Sequence, residues 1–150
     1  MGGETTPIER SNVHSSVKIW HPELVNIYDS EIGEGTRIAS FVEIGGAKIG
    51  KNCKIEAYAF IPPGVTIGDN VFIGPHVVFT NDKYPKATGE WTTSPTTVCN
   101  GATIGANSTI LSGITIGEKS MIGAGSVVCE DVKPHHIMFG EKAVARGTIH

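Results

Sequence analysis

Aliphatic residues recur along this chain every six positions. Ile32, Ile38 and Ile44 set the beat. After a one-residue slip it runs through Ile49, Ile55, Ile61, Ile67 and Ile73 to Phe79, and it resumes at Val98, Ile104, Ile110, Ile116, Ile122 and Val128. Glycine often follows directly, as at Gly33, Gly50, Gly68, Gly105 and Gly123, and a small or β-branched residue often stands four places on, as at Ala59, Val71, Ala102 and Ser120. A period of six is neither the 3.6 of an amphipathic helix nor the 2 of a simple strand. It describes a short strand and a turn, repeated. Three such units close one coil of a triangular prism, and successive coils stack about 4.8 Å apart. Each aliphatic points inward onto its counterpart one coil away, and each burial contributes roughly 1.5–3 kcal/mol. The expected fold is all-β: a parallel β-helix of stacked hexapeptide units with one extruded loop at about 80–97 and a short C-terminal cap.

The ends of such a solenoid need covering. Val17 to Asp29, with Trp20 and Tyr28 and no clean beat, is expected as the first cap, and the residues after Pro134 as the second. Residues 1–16 are polar and are expected as a mobile lead-in, leaving 17–150 as a single domain. The loop Phe79–Pro95, FTNDKYPKATGEWTTSP, is where the beat stops. A long excursion from so economical a repeat is usually functional. A flat prism face does not enclose a reaction, whereas a loop covers a groove and excludes water.

Composition removes several classes. The net charge of −3 gives no electrostatic footprint for nucleic acid or an anionic membrane surface, and no apolar run reaches membrane-spanning length. Three widely spaced cysteines, Cys53, Cys99 and Cys129, suggest neither a disulfide framework nor a metal site. A reducing cytoplasm is the natural location, and no metal is expected. Nineteen glycines among few aromatics fit tight turns and small packing partners.

With FTNDKYP followed by TTVCNGATIGANSTILSGITIGEKSMIGAGSVV, the chain resembles the hexapeptide-repeat acyltransferases. Within them it is similar to the branch that acetylates nucleotide-linked amino sugars. The resemblance implies a left-handed β-helix, acetyl-CoA as cosubstrate, a homotrimer with sites between subunits, and an acceptor that is a UDP- or dTDP-linked amino sugar destined for surface polysaccharide. The loop looks most like those acting on 3-amino sugars. It carries to Asn81 a place beside the sugar amine, whose proton Asp82 would hold or take. His76 is the alternative base. Where O-acetylating relatives have His-Pro in this loop, this chain has Tyr84-Pro85. A hydroxyl acceptor needs a base far more than an amine does, so an amine is favoured. Tyr84 and Trp91 are candidates to contact acceptor or coenzyme, with packing of the loop on a neighbour as the other use of Trp91.

A backbone N–H near Gly101 or Ala102 is expected to meet the developing oxyanion. Ala106 and Ala124 are expected along the pantetheine arm. Relatives often carry Thr-Lys where this chain has Cys129-Glu130, so Lys133, Lys142 or Arg146 would have to meet the CoA phosphates. His135 and His136 are expected at the surface. A zinc carbonic anhydrase on the same prism needs three converging histidines, and after His76 there is none before His135. The non-catalytic alternative is a trimeric β-helix that serves as scaffold or sugar-binding module.

Overall fold

The structure, a computed structural model, describes residues 6–140. Twenty two- or three-residue strands pair in parallel into three sheets, the faces of a triangular prism. Face A stacks Ile8–Glu9, Asn26–Tyr28, Glu43–Gly45, Phe60–Ile61, Val78–Phe79, Thr109–Ile110 and Val127–Val128. Face B stacks Asn12–Val13, Glu31–Ile32, Lys48–Ile49, Val65–Ile67, Thr96–Val98 and Thr115–Ile116, and Val132 extends it by one bridge. Face C stacks Lys18–Ile19, Arg37–Ile38, Lys54–Ile55, Phe72–Ile73, Thr103–Ile104, Met121–Ile122 and Ile137–Met138. One strand from each face makes a coil. Edges AB, BC and CA name the corners in chain order.

The beat of six becomes three inward columns. Ile27, Ile44, Ile61, Phe79, Ile110 and Val128 fill face A's interior. The register on the other two faces also sets aliphatic on aliphatic, as in Ile32 with Ile49 and Ile73 with Ile104. Strands this short are viable because each backbone pairs with the coil before and the coil after. Small residues share the interior at the corners. Buried hydroxyls there return to the backbone: Thr36 Oγ1 donates to Gly50 O at 2.9 Å, and Ser120 Oγ to Gly117 O at 2.6 Å.

The solenoid starts earlier than its repeat announces. Ile8–Glu9 and Asn12–Val13 fall in the stretch expected as a lead-in, yet they are rungs of the first coil, paired with Asn26–Tyr28 and Glu31–Ile32. Arg10 fastens that coil to the second through two bonds to Asp29, 2.7 and 3.0 Å. Val17 to Asp29 is likewise coil, not cap: it holds two rungs joined by a 3-10 turn, Pro22–Leu24. At the other end Ile137–Met138 pairs with Met121–Ile122, so the expected cap supplies a seventh rung of face C. The extruded segment is residues 80–95, two residues shorter than expected, because Thr96–Val98 is already paired with Val65–Ile67. No helix among the described residues is long and apolar enough to cross a membrane.

Candidate functional site

The expected site residues lie on three different edges of the prism. Asn81 and Asp82 stand at edge AB, where the chain leaves face A. Thr80 N still donates to Ile110 O at 3.0 Å, and the neck of the loop closes where Ser94 N donates to Asn81 O at 2.9 Å. The Asn81 backbone is thereby fixed while its carboxamide makes no hydrogen bond within the described residues. Asp82 Oδ1 accepts from Tyr84 N at 2.8 Å, an Asx turn that sets the direction of the loop. Beyond it Tyr84 is 79% exposed and Trp91 56% exposed, so neither belongs to the interior.

A cavity of about 300 Å³ opens at the root of the loop, with Thr80, Asp82, Lys83, Ser112, Glu130 and Asp131 among its lining. Ser112 is 3% exposed, and its Oγ is the one buried side-chain polar atom among the described residues without a partner. The acidic lining suits an amine better than a phosphate. A larger groove of about 620 Å³ lies on face B and edge BC, along Thr66, Thr97 and Thr115 and reaching Lys133. It contains neither Asn81 nor Asp82.

Edge CA carries the expected residues His76, Ala106 and Ala124. Three residues after Ile38, Ile55 and Ile73 come Phe41, Tyr58 and His76, each in the left-handed backbone region. Their rings stack, with centroids 4.9 Å apart for Phe41 and Tyr58 and 4.6 Å apart for Tyr58 and His76. Further along the same edge the stack gives way to Asn107 and Gly125, with Ala106 and Ala124 beside them. No acceptor among the described residues takes the N–H of Ala106 or Ala124. Two free donors on successive coils, with Asn107 beside the first and the Phe139 ring over Gly123 beside the second, fit a ligand with carbonyl groups lying along the edge.

Gly101 and Ala102, expected near the oxyanion, lie on edge BC, where their N–H groups bond within the corner. Gly101 N donates to Asp69 O at 2.8 Å, Ala102 N to Cys99 O at 3.4 Å, and Ala102 is fully buried. Both donors are consumed in turning the corner. Lys133 is exposed on the same edge. Lys142 and Arg146 lie outside the described residues. His135 and His136 are exposed, as expected.

The structure therefore brings Asn81 and Asp82 together, and His76 with Ala106 and Ala124, but it sets the two groups on opposite edges of face A. Within one chain His76 and Asn81 do not meet. Sequence reading missed Ser112, whose signal is only that it is one serine among several at interior corners. It also missed the ring stack, which emerges once positions three after each face C aliphatic are read at the spacing of a whole coil.

Comparison with known proteins agrees with this architecture. The family described as bacterial transferase hexapeptide (six repeats) matches residues 46–81 and 95–130, on both sides of the loop. The bifunctional protein GlmU of Caldicellulosiruptor saccharolyticus is 38% identical over 126 residues, 83% of this chain, and this chain spans 25% of its length. A variant of AntD, an N-acyltransferase from Bacillus cereus solved with dTDP and coenzyme A, superposes with a TM-score of 0.67 at 23% identity, covering 93% of this chain and 84% of that one. A variant of GDP-perosamine N-acetyltransferase from Caulobacter crescentus, solved with CoA and GDP-perosamine, gives 0.64 at 21% identity, covering 95% and 58%. By its repeat and by the prism that the repeat builds, the chain belongs to the bacterial transferase hexapeptide-repeat family.

Proposed function

We propose that this protein is an N-acetyltransferase that moves the acetyl group of acetyl-CoA to the amine of a nucleotide-linked amino sugar, with a 3-amino sugar favoured. The single observation that carries the reading is the loop. An otherwise unbroken prism opens once, at residues 80–95, and at that point holds a backbone-fixed asparagine with a free carboxamide beside an acid-lined cavity. The similarity to AntD and to the perosamine enzyme, both solved with coenzyme A, supports the donor.

In this reading the thioester lies along edge CA, its pantetheine amides accepting from the N–H groups of Ala106 and Ala124. Asn81 Oδ1 accepts from the acceptor amine and aims its lone pair at the carbonyl. The amine attacks, the C–S bond breaks, and CoA leaves as the thiol, taking up the proton that the amine gives off. A sugar amine is partly unprotonated at neutral pH, so positioning supplies much of the rate. Because edges AB and CA do not meet in one chain, the site closes between copies. A homotrimer is the assembly proposed, with the exposed apolar side chains of face A, Phe60, Val78 and Val127, available to a neighbour. The product would serve surface polysaccharide synthesis in the cytoplasm.

Thiol release from acetyl-CoA across a panel of UDP- and dTDP-linked 3- and 4-amino sugars tests the reading. Release with one amino sugar and none with the matching hydroxy sugar is expected. The acidic Glu130 and Asp131 at the loop root favour a second reading, a sugar-binding scaffold without coenzyme. Silence across the panel together with no calorimetric CoA binding would select it.

A further inference from the structure

The outward positions of face C in the first three coils are Lys18, Arg37 and Lys54, in register on successive strands. Three cations are thus stacked at intervals of about 4.8 Å. Like charges directly opposite each other destabilise a sheet. The same fold avoids the problem one face away. On face B the corresponding column reads Asn12, Glu31 and Lys48, and Lys48 Nζ lies 3.9 Å from Glu31 Oε1. Face C keeps its charge uncompensated within the column. A cavity of about 260 Å³ opens there, lined by Trp20, Arg37, Ala39, Lys54, Ile55 and Glu56. Trp20 is 49% exposed, with Lys18 Nζ 4.6 Å from its ring centroid. Lys54 Nζ contacts Glu56 Oε1 at 2.8 Å, while Arg37 has no ion pair among the described residues.

We infer that this column is a binding site for a nucleoside diphosphate, with the two phosphates on Arg37 and its lysine neighbours and the base against Trp20. Arginine presents a planar fork that matches phosphate oxygens in pairs, and the flanking lysines add point charge. An exposed indole is the side chain best suited to cover a planar base. With Lys54 already paired to Glu56, the column offers little more than two free cations, which matches the two phosphates of one nucleoside diphosphate and not a long polyanion, which the net charge of −3 opposes. The place along the axis fits as well. The column occupies coils one to three, Ala106 and Ala124 lie on coils five to seven, and His76 stands between them on the edge that borders face C. A sugar attached to the second phosphate would extend toward the level of the loop. This assignment of the nucleotide rests on the acetyltransferase reading for its meaning, though not for its test.

Titrating the protein calorimetrically with free UDP, dTDP and GDP, without acetyl-CoA, is the direct test. At least one is expected to bind, and Arg37→Ala is expected to weaken it about tenfold or more. Trp20→Ala is expected to weaken it too, whereas Lys48→Ala on face B leaves it unchanged. In turnover, Arg37→Ala should raise KM for the nucleotide-linked acceptor and leave KM for acetyl-CoA unaltered. No nucleoside diphosphate binding, or equal binding by wild type and Arg37→Ala, would overturn the inference. Tighter Arg37-dependent binding of a single-stranded oligonucleotide would overturn it also. Arg37-dependent binding without thiol release from any amino sugar would keep the site and sink the acetyltransferase reading. Thiol release insensitive to Arg37 would do the reverse.

Discussion

Ser112 carries a buried hydroxyl with no partner at the root of the loop, an arrangement that costs about 1–3 kcal/mol in an otherwise satisfied interior. Replacing it with alanine removes the unmet group and almost no volume. Ser112→Ala should leave the melting temperature of the isolated protein unchanged or raise it. A lowered melting temperature would show that the hydroxyl already has a partner, such as a water or a neighbouring copy. The cysteines separate by the same logic of burial. Cys53 is 1% exposed, its thiol donates to Gly68 O at 3.0 Å, and burial pushes its pKa up, whereas Cys129 is exposed. Thiol labelling at mildly alkaline pH should therefore modify Cys129 first and reach Cys53 only as the protein unfolds. Early loss of the Cys53 thiol would contradict that packing. Single residues were the hardest scale to read ahead. Asn81 lay in a recognisable motif, but whether the N–H of Ala102 was free depended on a partner three residues away that only the folded corner supplies.

Elements follow from the beat where each coil has hexads of equal length, and they disappear from it where corners change length. Ile27 to Ile32 and Ile44 to Ile49 are both five-residue steps across edge AB, and Ile19 to Ile27 takes eight because Pro22–Leu24 turns between them. The first coil was illegible for that reason, although its rungs pair as regularly as the rest. The glycine at position 45 has a physical cause. Tyr28 lies over it, and a Cβ on Gly45 would fall on the Tyr28 ring. Gly45→Ala should destabilise the protein by about 1–3 kcal/mol, and much less in a Tyr28→Ala background, as a double-mutant cycle in denaturant would show. Equal losses in both backgrounds would place the strain elsewhere. The loop obeys the opposite rule, since its removal touches no rung. Val78–Phe79 and Thr96–Val98 each pair with strands before and after them. Replacing residues 81–94 with a two-residue corner should preserve cooperative melting while abolishing turnover.

The whole molecule shows why so much of the fold and so little of the site could be read from one chain. A repeat states its own packing many times over, so errors at single rungs cancel, and the three faces follow. The proposed site is stated once, and in that reading it is divided between two edges that the chain does not bring together. If the proposed assembly is correct, Asn81 of one copy works with Ala106 and Ala124 of the next. Two inactive variants then contain complementary good halves. Asn81→Ala spoils the loop and Ala124→Trp fills the edge with a bulky ring; each alone should lack turnover, and each should fold, because both positions lie outside the interior columns. Unfolded together in equal amounts and refolded, they form mixed closed rings in which about one site in four joins an intact loop to an intact edge. Turnover should recover to about a quarter of wild type, a fraction set by counting and not by contact energies. No recovery from rings shown to be mixed would mean that each chain carries its own complete site, and edge CA would then lose its claim to the thioester.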